Sequence, residues 1–187
     1  RQEITMDGQR FVGHVGWRQD RQTFDALSTK YAPSQNLTLQ YIYITQRNRI
    51  FAQDADLDAK DHLVNAAYKT AHGTLTGYGY LLEADNDTDT DNALDTFGIS
   101  FAGSINVSDT NVLYLAEYAS QNSDSVTADF NVNYVNFEAG TVIKGITAKV
   151  GYEVLGSDGG NFGFSTPLAT LHKFNGWSDQ FLGTPSQ

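Results

Sequence analysis

The chain has 187 residues, 40% apolar and 12% aromatic, with ten Tyr, eleven Phe, three Pro and no Cys, and it carries a formal charge of −10. The lack of cysteine excludes disulfides and thiolate chemistry, and the length allows one sizeable domain spanning 1–187. The acidic excess is local: Asp54, Asp56, Asp58 and Asp61 form one cluster and Asp85, Asp87, Asp89 and Asp91 another, and elsewhere acids and bases nearly balance; with no basic stripe interleaved with aromatics, nucleic acid is not an expected partner.

No apolar run approaches the roughly 18 to 20 residues of a membrane-spanning helix, and the chain opens on Arg-Gln-Glu, as expected of a processed product or an internal piece. An aromatic-rich, Gly-rich and Pro-poor composition points to β structure with many turns. Residues 1–22 read as loop-rich, and weak alternation over 23–31 opens the first strand. Residues 37–46, LTLQYIYITQ, set Leu37, Leu39, Tyr41 and Tyr43 against Thr38, Gln40, Ile42, Ile44 and Gln46, the period of two that a strand requires. Weak alternation returns over 62–70. In 74–83, Thr76, Tyr78, Tyr80 and Leu82 oppose Leu75, Gly77, Gly79 and Glu83. Phe97, Ile99, Phe101 and Ile105 alternate with small or polar residues, as do Val112, Tyr114, Ala116 and Tyr118 around Glu117. Phe130, Val132 and Tyr134 alternate with Asn131 and Asn133, and Ile146, Ala148, Val150, Tyr152 and Val154 with Thr147, Lys149, Gly151 and Glu153. Eight strands are thus predicted, followed by a loop-rich tail over 156–187.

The connections suggest a topology. Short links at 32–36, 71–73, 108–110 and 144–145 alternate with long ones at 47–61, 85–95, 121–126 and beyond 156, so an up-and-down meander puts every short link at one end. Transmembrane β-barrels have this asymmetry. Strands of about 9 to 12 residues match the roughly 9 to 11 needed to cross hydrocarbon at a tilt. Tyr43, Tyr80, Tyr118 and Tyr152 fall on the apolar parity near the long-loop ends, as an aromatic girdle would. Lys30, Lys69, Glu117, Lys149 and Glu153 fall on the other parity, where a dry core would have to pair them and a water-filled lumen would not. The expected fold is an all-β, antiparallel up-and-down transmembrane β-barrel with about eight strands here; an antiparallel sheet with one solvated face also alternates.

Three runs carry a family resemblance: GQRFVGHVGWRQDRQTFDAL (8–27), GYEVLGSD (151–158) and FSTPLATLHKFNGWSDQFL (164–182). With these the chain resembles the alginate-export-type porins of Gram-negative bacteria. The resemblance implies a large outer-membrane barrel, of which these residues would be an internal portion, and a role handling a polyanionic polysaccharide. The residues themselves carry no nucleophile elbow or dinucleotide loop, so no catalysis and no cofactor are expected, and the partners expected of such a porin are membrane lipid and a small or polymeric anionic solute.

The arginines suit that role. All six lie in the first 49 residues, and Arg10, Arg18, Arg21, Arg47 and Arg49 flank the upper ends of the first two strands, where a basic patch would attract anions. Pairing with neighbours such as Asp20 and Asp25 is the other reading. The segment DADLDAKDH places Asp54, Asp56 and Asp58 at the first, third and fifth positions of a calcium loop, but Ala59 replaces the Gly at position six and Asn65 the Glu at position twelve, so an EF-hand is not expected; a solvated acidic tip is the first reading, and weak loop-bound calcium on Asp54, Asp56 and Asp58 the second. DNDTDTDN (85–92) reads first as an exposed loop, since alternate carboxylates of an extended chain diverge. His14, His62, His72 and His172 lack metal-ligand spacing. Other expectations are a sandwich or solenoid module binding carbohydrate on Trp17 and Trp177, and a protein that self-associates through unclosed strand edges.

Overall fold

A computed structural model describes residues 1–51, 53–85, 93–108, 110–123, 129–176 and 178. Eight long strands form one antiparallel meander: β1 (Thr23–Tyr31), β2 (Leu37–Asn48), β3 (Leu57–Lys69), β4 (Thr74–Leu82), β6 (Leu94–Val107), β7 (Thr110–Ser123), β8 (Phe130–Ile143) and β9 (Ile146–Leu155), with the two-residue β5 (Ala84–Asp85) pairing beside β4 on β3. A ribbon of β10 (Ser157–Asp158) and β11 (Phe162–Gly163), two 3-10 turns (Asp7–Gln9 and Gln53–Ala55) and a single α-helical turn, α1 (His172–Asn175), complete the elements among the described residues. The alternation marked all eight strands but understated several, since β6, β7 and β8 run to 14 residues each. Their outer halves mix small and polar residues on both parities, which blurs the period.

The predicted asymmetry of the links holds. The links from β6 to β7 and from β8 to β9 are two residues each; the latter runs through Lys144 and Gly145, whose φ of 49° and 80° are those of a two-residue hairpin turn matched to strand twist. The links after β2, β4 and β7 are longer and start from the opposite end of the sheet, from which 1–22 and 156–176 also extend.

Each face of the sheet is chemically distinct. On the outer face Leu39, Val64, Ile99, Phe137 and Val150 are exposed, and no described element packs over them. On the inner face Ile42, Ile44, Leu63, Tyr78, Tyr80, Val132 and Tyr134 are buried under the folded-in terminal segments, which contribute Ile4, Met6, Phe11, Val12, Phe164 and Leu168 to the same core. The hydrophobic effect therefore holds the ends of the chain against the inner face. Only the long-loop half of that face is covered: Lys30 and Lys69, nearer the short turns, are exposed.

Two details depart from simple alternation. Tyr80 is not in an outward girdle; it faces inward beside its register partner Leu63 and is 2% exposed. Both parities of β4 are apolar, and the inward segments supply Phe11, 5.9 Å from the Tyr80 ring, so the bulky parity turns in while Gly79 turns out beneath Phe97. Tyr43, Tyr118 and Tyr152 do stand on the outer face. Secondly, β2 carries a bulge at Thr45: Ile44 pairs with Ala26 and Gln46 with Asp25, leaving Thr45 as the extra residue. Beyond it the parity inverts. Gln46, expected beside Ile42 and Ile44, turns outward to Asp58, and Arg47 turns inward.

The sheet is open. Among the described residues β1 and β9 form no ladder with each other; the upper end of β1 is covered by an antiparallel bridge between Gln2 and Phe24, and β9 is exposed over nearly its whole length.

Candidate functional site

The inner face and the segments folded onto it gather most of the buried ionisable groups. Phe11 sits at the centre, its ring 5.3 Å from Tyr78, 5.3 Å from Tyr134 and 5.9 Å from Phe164. Around this aromatic cluster the buried charged side chains find hydrogen-bond partners, as burial demands.

Arg10, next to Phe11, is 4% exposed. Its Nε donates to Glu153 Oε1 at 2.6 Å and its Nη1 to Thr166 Oγ1 at 3.3 Å, while its guanidinium lies 5.7 Å from the Tyr134 ring and 5.1 Å from that of Phe174. The Tyr134 hydroxyl donates to the same Glu153 oxygen at 2.7 Å. One arginine therefore joins the N-terminal segment, the edge strand β9 and the C-terminal segment.

Two carboxylates are held by tyrosines. The Tyr78 hydroxyl donates to Glu117 Oε1 at 2.8 Å. To do so its ring crosses the intervening strand β6 at Gly98, where a Cβ would stand 2.3 Å from the ring, so only glycine admits the contact. Asp7, on the N-terminal turn, accepts from Tyr80 at 2.9 Å and from the Asn65 amide at 2.6 Å. Burial pushes its carboxyl above the ordinary value of 3.8, against the opposing pull of those two donors.

Arg47, turned inward by the bulge, makes a two-point pair with Asp61: Nε to Oδ2 at 2.7 Å and Nη2 to Oδ1 at 2.5 Å. Asp61 Oδ1 also accepts from the Glu83 amide at 2.9 Å. Gln121 clamps the C-terminal segment from β7, its side chain donating to Ser165 O and accepting from Ser165 N, both at 2.8 Å.

The terminal segments are also tied to one another. Val12 and Leu168 form a parallel bridge, Gln22 Nε2 donates to Gly13 O and Leu168 O, and Lys173 Nζ reaches Gly8 O at 2.7 Å. They form one unit seated on the sheet.

The arginines expected as one patch separate into two groups. Arg10 and Arg47 are buried in pairs with Glu153 and Asp61, and Arg21 pairs with Glu3 at 2.8 Å on the surface; Asp25 instead accepts the N-terminal ammonium at 3.4 Å. Arg18 and Arg49 stay together at the long-loop end, over the rings of Trp17 and Phe51 at 4.5 and 5.3 Å. Lys30, Lys69, Glu117, Lys149 and Glu153 all take the inward parity in the observed register. Lys149 pairs with Glu138 at 3.2 Å.

The calcium candidates do not converge. Asp56 Oδ1 accepts the Arg49 amide at 2.7 Å and Asp58 the Gln46 amide at 3.3 Å, and among the described residues no group of three or more His, Asp or Glu could hold a metal. Asp87, Asp89, Asp91 and Trp177 lie outside the described residues. His172 stacks on Trp17 at 3.9 Å, and the Arg18 guanidinium lies 4.5 Å from the same ring. Sequence reasoning missed Asp7, Tyr78, Tyr80, Tyr134 and Gln121; three tyrosines alternating with Gly or Asn, Tyr78 and Tyr80 on β4 and Tyr134 on β8, were the available signal.

No family model matches the chain, and neither a curated protein nor a solved structure matches it.

Proposed function

We propose that this chain forms part of the wall and the internal plug of a bacterial outer-membrane β-barrel of the porin or export type, passing small or anionic, saccharide-like solutes through a water-filled lumen. One observation carries the reading: eight strands expose an apolar face on which, among the described residues, nothing packs, while Glu117, Glu153, Asp61, Arg10 and Arg47 lie on or against the opposite face. In water that outer face would be a large exposed patch of the kind soluble monomers avoid; against lipid it is the required surface. Strands longer than globular ones and the segregation of short from long links support the same solvent arrangement.

Solute would pass between the inner wall and the inward-folded segments, which are tolerated inside a barrel because their polar backbone is buried in protein or faces water. Lys30, Lys69 and Lys149 would line the lumen towards the short turns, and Arg18 and Arg49 would stand at the opposite mouth, so cations at both ends would favour anions. Closure needs partners for both free edges, and β1 and β9 run in opposite directions, which suits antiparallel pairing with each other or with further strands. The exposed edge of β9 favours a second reading, head-to-tail pairing between copies of this chain.

The test is refolding with and without detergent, followed by planar-bilayer recording. The porin reading expects a folded state only in detergent or lipid, discrete conductance steps and anion over cation permeability. A monomer folded in plain buffer with its outer-face Tyr and Phe protected from solvent overturns it, and fibres would favour the assembly reading.

A further inference from the structure

Three residues of the N-terminal segment hold a backbone conformation that their side chains resist: Asp7, Gln9 and Val15 have φ of 42°, 74° and 52°. The other described non-glycine residues with positive φ, Ser108 and Lys144, sit in the two-residue links after β6 and β8, where a tight hairpin demands it. Val15 lies in no hairpin, and for a β-branched residue this region is a true outlier. Such strain persists only where the surroundings over-determine the backbone, and it gathers at switch regions. We propose that residues 7–15 are a sprung element of the plug: strain at Gln9 and Val15 pushes the segment off the inner wall, and the Thr170 hydroxyl is the catch that holds it down.

The hydroxyl meets both strained residues at once. Thr170, on the C-terminal segment, is 6% exposed. Its Oγ1 accepts from the Val15 amide at 3.1 Å and donates to Gln9 Oε1 at 2.8 Å, so its one proton and one of its lone pairs are committed there. The Thr170 amide in turn donates to the Gln9 carbonyl at 3.2 Å. Gly13 permits this approach, because a Cβ there would stand 2.3 Å from Thr170 Oγ1.

Loss of that hydroxyl would act twice. It strands the buried Val15 N–H, and it removes the restraint that keeps Gln9 and Val15 from relaxing to ordinary φ. The segment is tethered at both ends, by the Gln2 to Phe24 bridge and by Thr23 at the start of β1. Release therefore lifts a loop and leaves the terminus on the sheet. That this lifting opens a path for solute rests on the porin reading; the catch itself does not.

The chain has no cysteine, so nitroxides at Gln19→Cys, on the segment, and Gln35→Cys, in the link after β1, report their separation in the full chain folded in detergent. Both positions are exposed. A seated segment gives one narrow distance, and release adds a second. Thr170→Val, which keeps the shape and loses the hydroxyl, should raise the released-to-seated ratio about tenfold or more; Thr170→Ser, which keeps the hydroxyl, should stay near the parent. Adding Val15→Gly to Thr170→Val should bring the ratio down again, because glycine takes this φ without strain. Val12→Gly in the same background removes a buried valine whose φ is not positive, so it loses packing, relieves nothing and should raise the ratio further. Val15→Gly acting like Val12→Gly, an unchanged ratio in Thr170→Val, or release by Thr170→Ser as large as by Thr170→Val would each overturn the catch. If Thr170→Val does not fold, Val15→Gly against Val12→Gly in the otherwise unaltered chain decides the question by the same opposite signs. Release without any conductance would leave the catch standing and remove the porin reading, and conductance with a ratio that none of these variants moves would do the reverse.

Discussion

The Arg10 guanidinium and the Glu153 carboxylate meet at 2.6 Å although 143 positions separate them in the chain, and their contact is the point where plug, wall and C-terminal segment are joined. Arg10→Gln would leave Glu153 with Tyr134 as its remaining donor. Because Glu153 keeps 29% side-chain exposure, the expected loss is well below that of a fully buried pair, about 1–3 kcal/mol. The variant should release the N-terminal segment, read as faster protease cleavage near Arg18 and, in a bilayer, as a larger or more frequently open conductance. Unchanged cleavage and conductance would remove the latch role.

Arg47 and Arg49 stand two residues apart and should behave oppositely. Arg47 is sealed against Asp61, which is fully buried, so Arg47→Ser strands a carboxylate and should cost about 3–5 kcal/mol of folding stability. It should leave the anion-to-cation permeability ratio near that of the parent. Arg49→Ser should do the reverse: little change in the thermal midpoint and a clear fall in anion preference. Chemical unfolding and reversal-potential measurements on both variants check this, and a selectivity loss in the Arg47 variant without destabilisation would contradict it.

How much of this was legible beforehand differs by level. The eight strands and the segregation of short from long links follow from alternation and turn residues, which are local, though the signal is weak for β1 and β3 and plain for the other six. Which face is inside does not follow where both parities are apolar, as at Tyr80, nor past an insertion such as Thr45, because a bulge has no fixed residue signature. The site is less legible still. Tyr78 reaches Glu117 because its register partner on the intervening strand, Gly98, leaves room for the ring, a relation among three strands that no spacing along one strand announces. The basic patch was visible as composition, yet its division into buried latches and a surface pair depended on partners such as Glu153, more than a hundred residues away.

Asp7 should make seating of the plug depend on pH. It lies on the inward-folded segment, and burial raises its carboxyl above the ordinary 3.8. A carboxyl that binds its proton more tightly when folded than when released stabilises the folded form fully below 3.8 and loses that contribution as pH rises through the elevated value. Asp7→Asn keeps one oxygen to accept from Tyr80 or Asn65 and has no proton to lose. Thermal midpoints measured from pH 3.5 upward should fall less steeply with pH in the variant than in the parent; identical slopes would show that Asp7 is not coupled to the fold.

The two faces of β6 give the sharpest separation between lipid and water. Ile99 is 51% exposed on the outer face near the middle of a 14-residue strand, and Ser100, the next residue, has the opposite parity and pairs with Glu117 on the inner side. If the outer face meets hydrocarbon, Ile99→Arg places a charge near the bilayer midplane and should cost about 2–4 kcal/mol in lipid, whereas a charge on an exposed strand in water costs a few tenths. Ser100→Arg brings a cation beside Glu117 and should be tolerated better than Ile99→Arg in the same vesicles. The comparison uses urea titration of both variants in lipid vesicles, with the parent as reference. Equal and small effects at both positions would mean that both faces see water, and the outer face would then need a protein partner in place of a membrane.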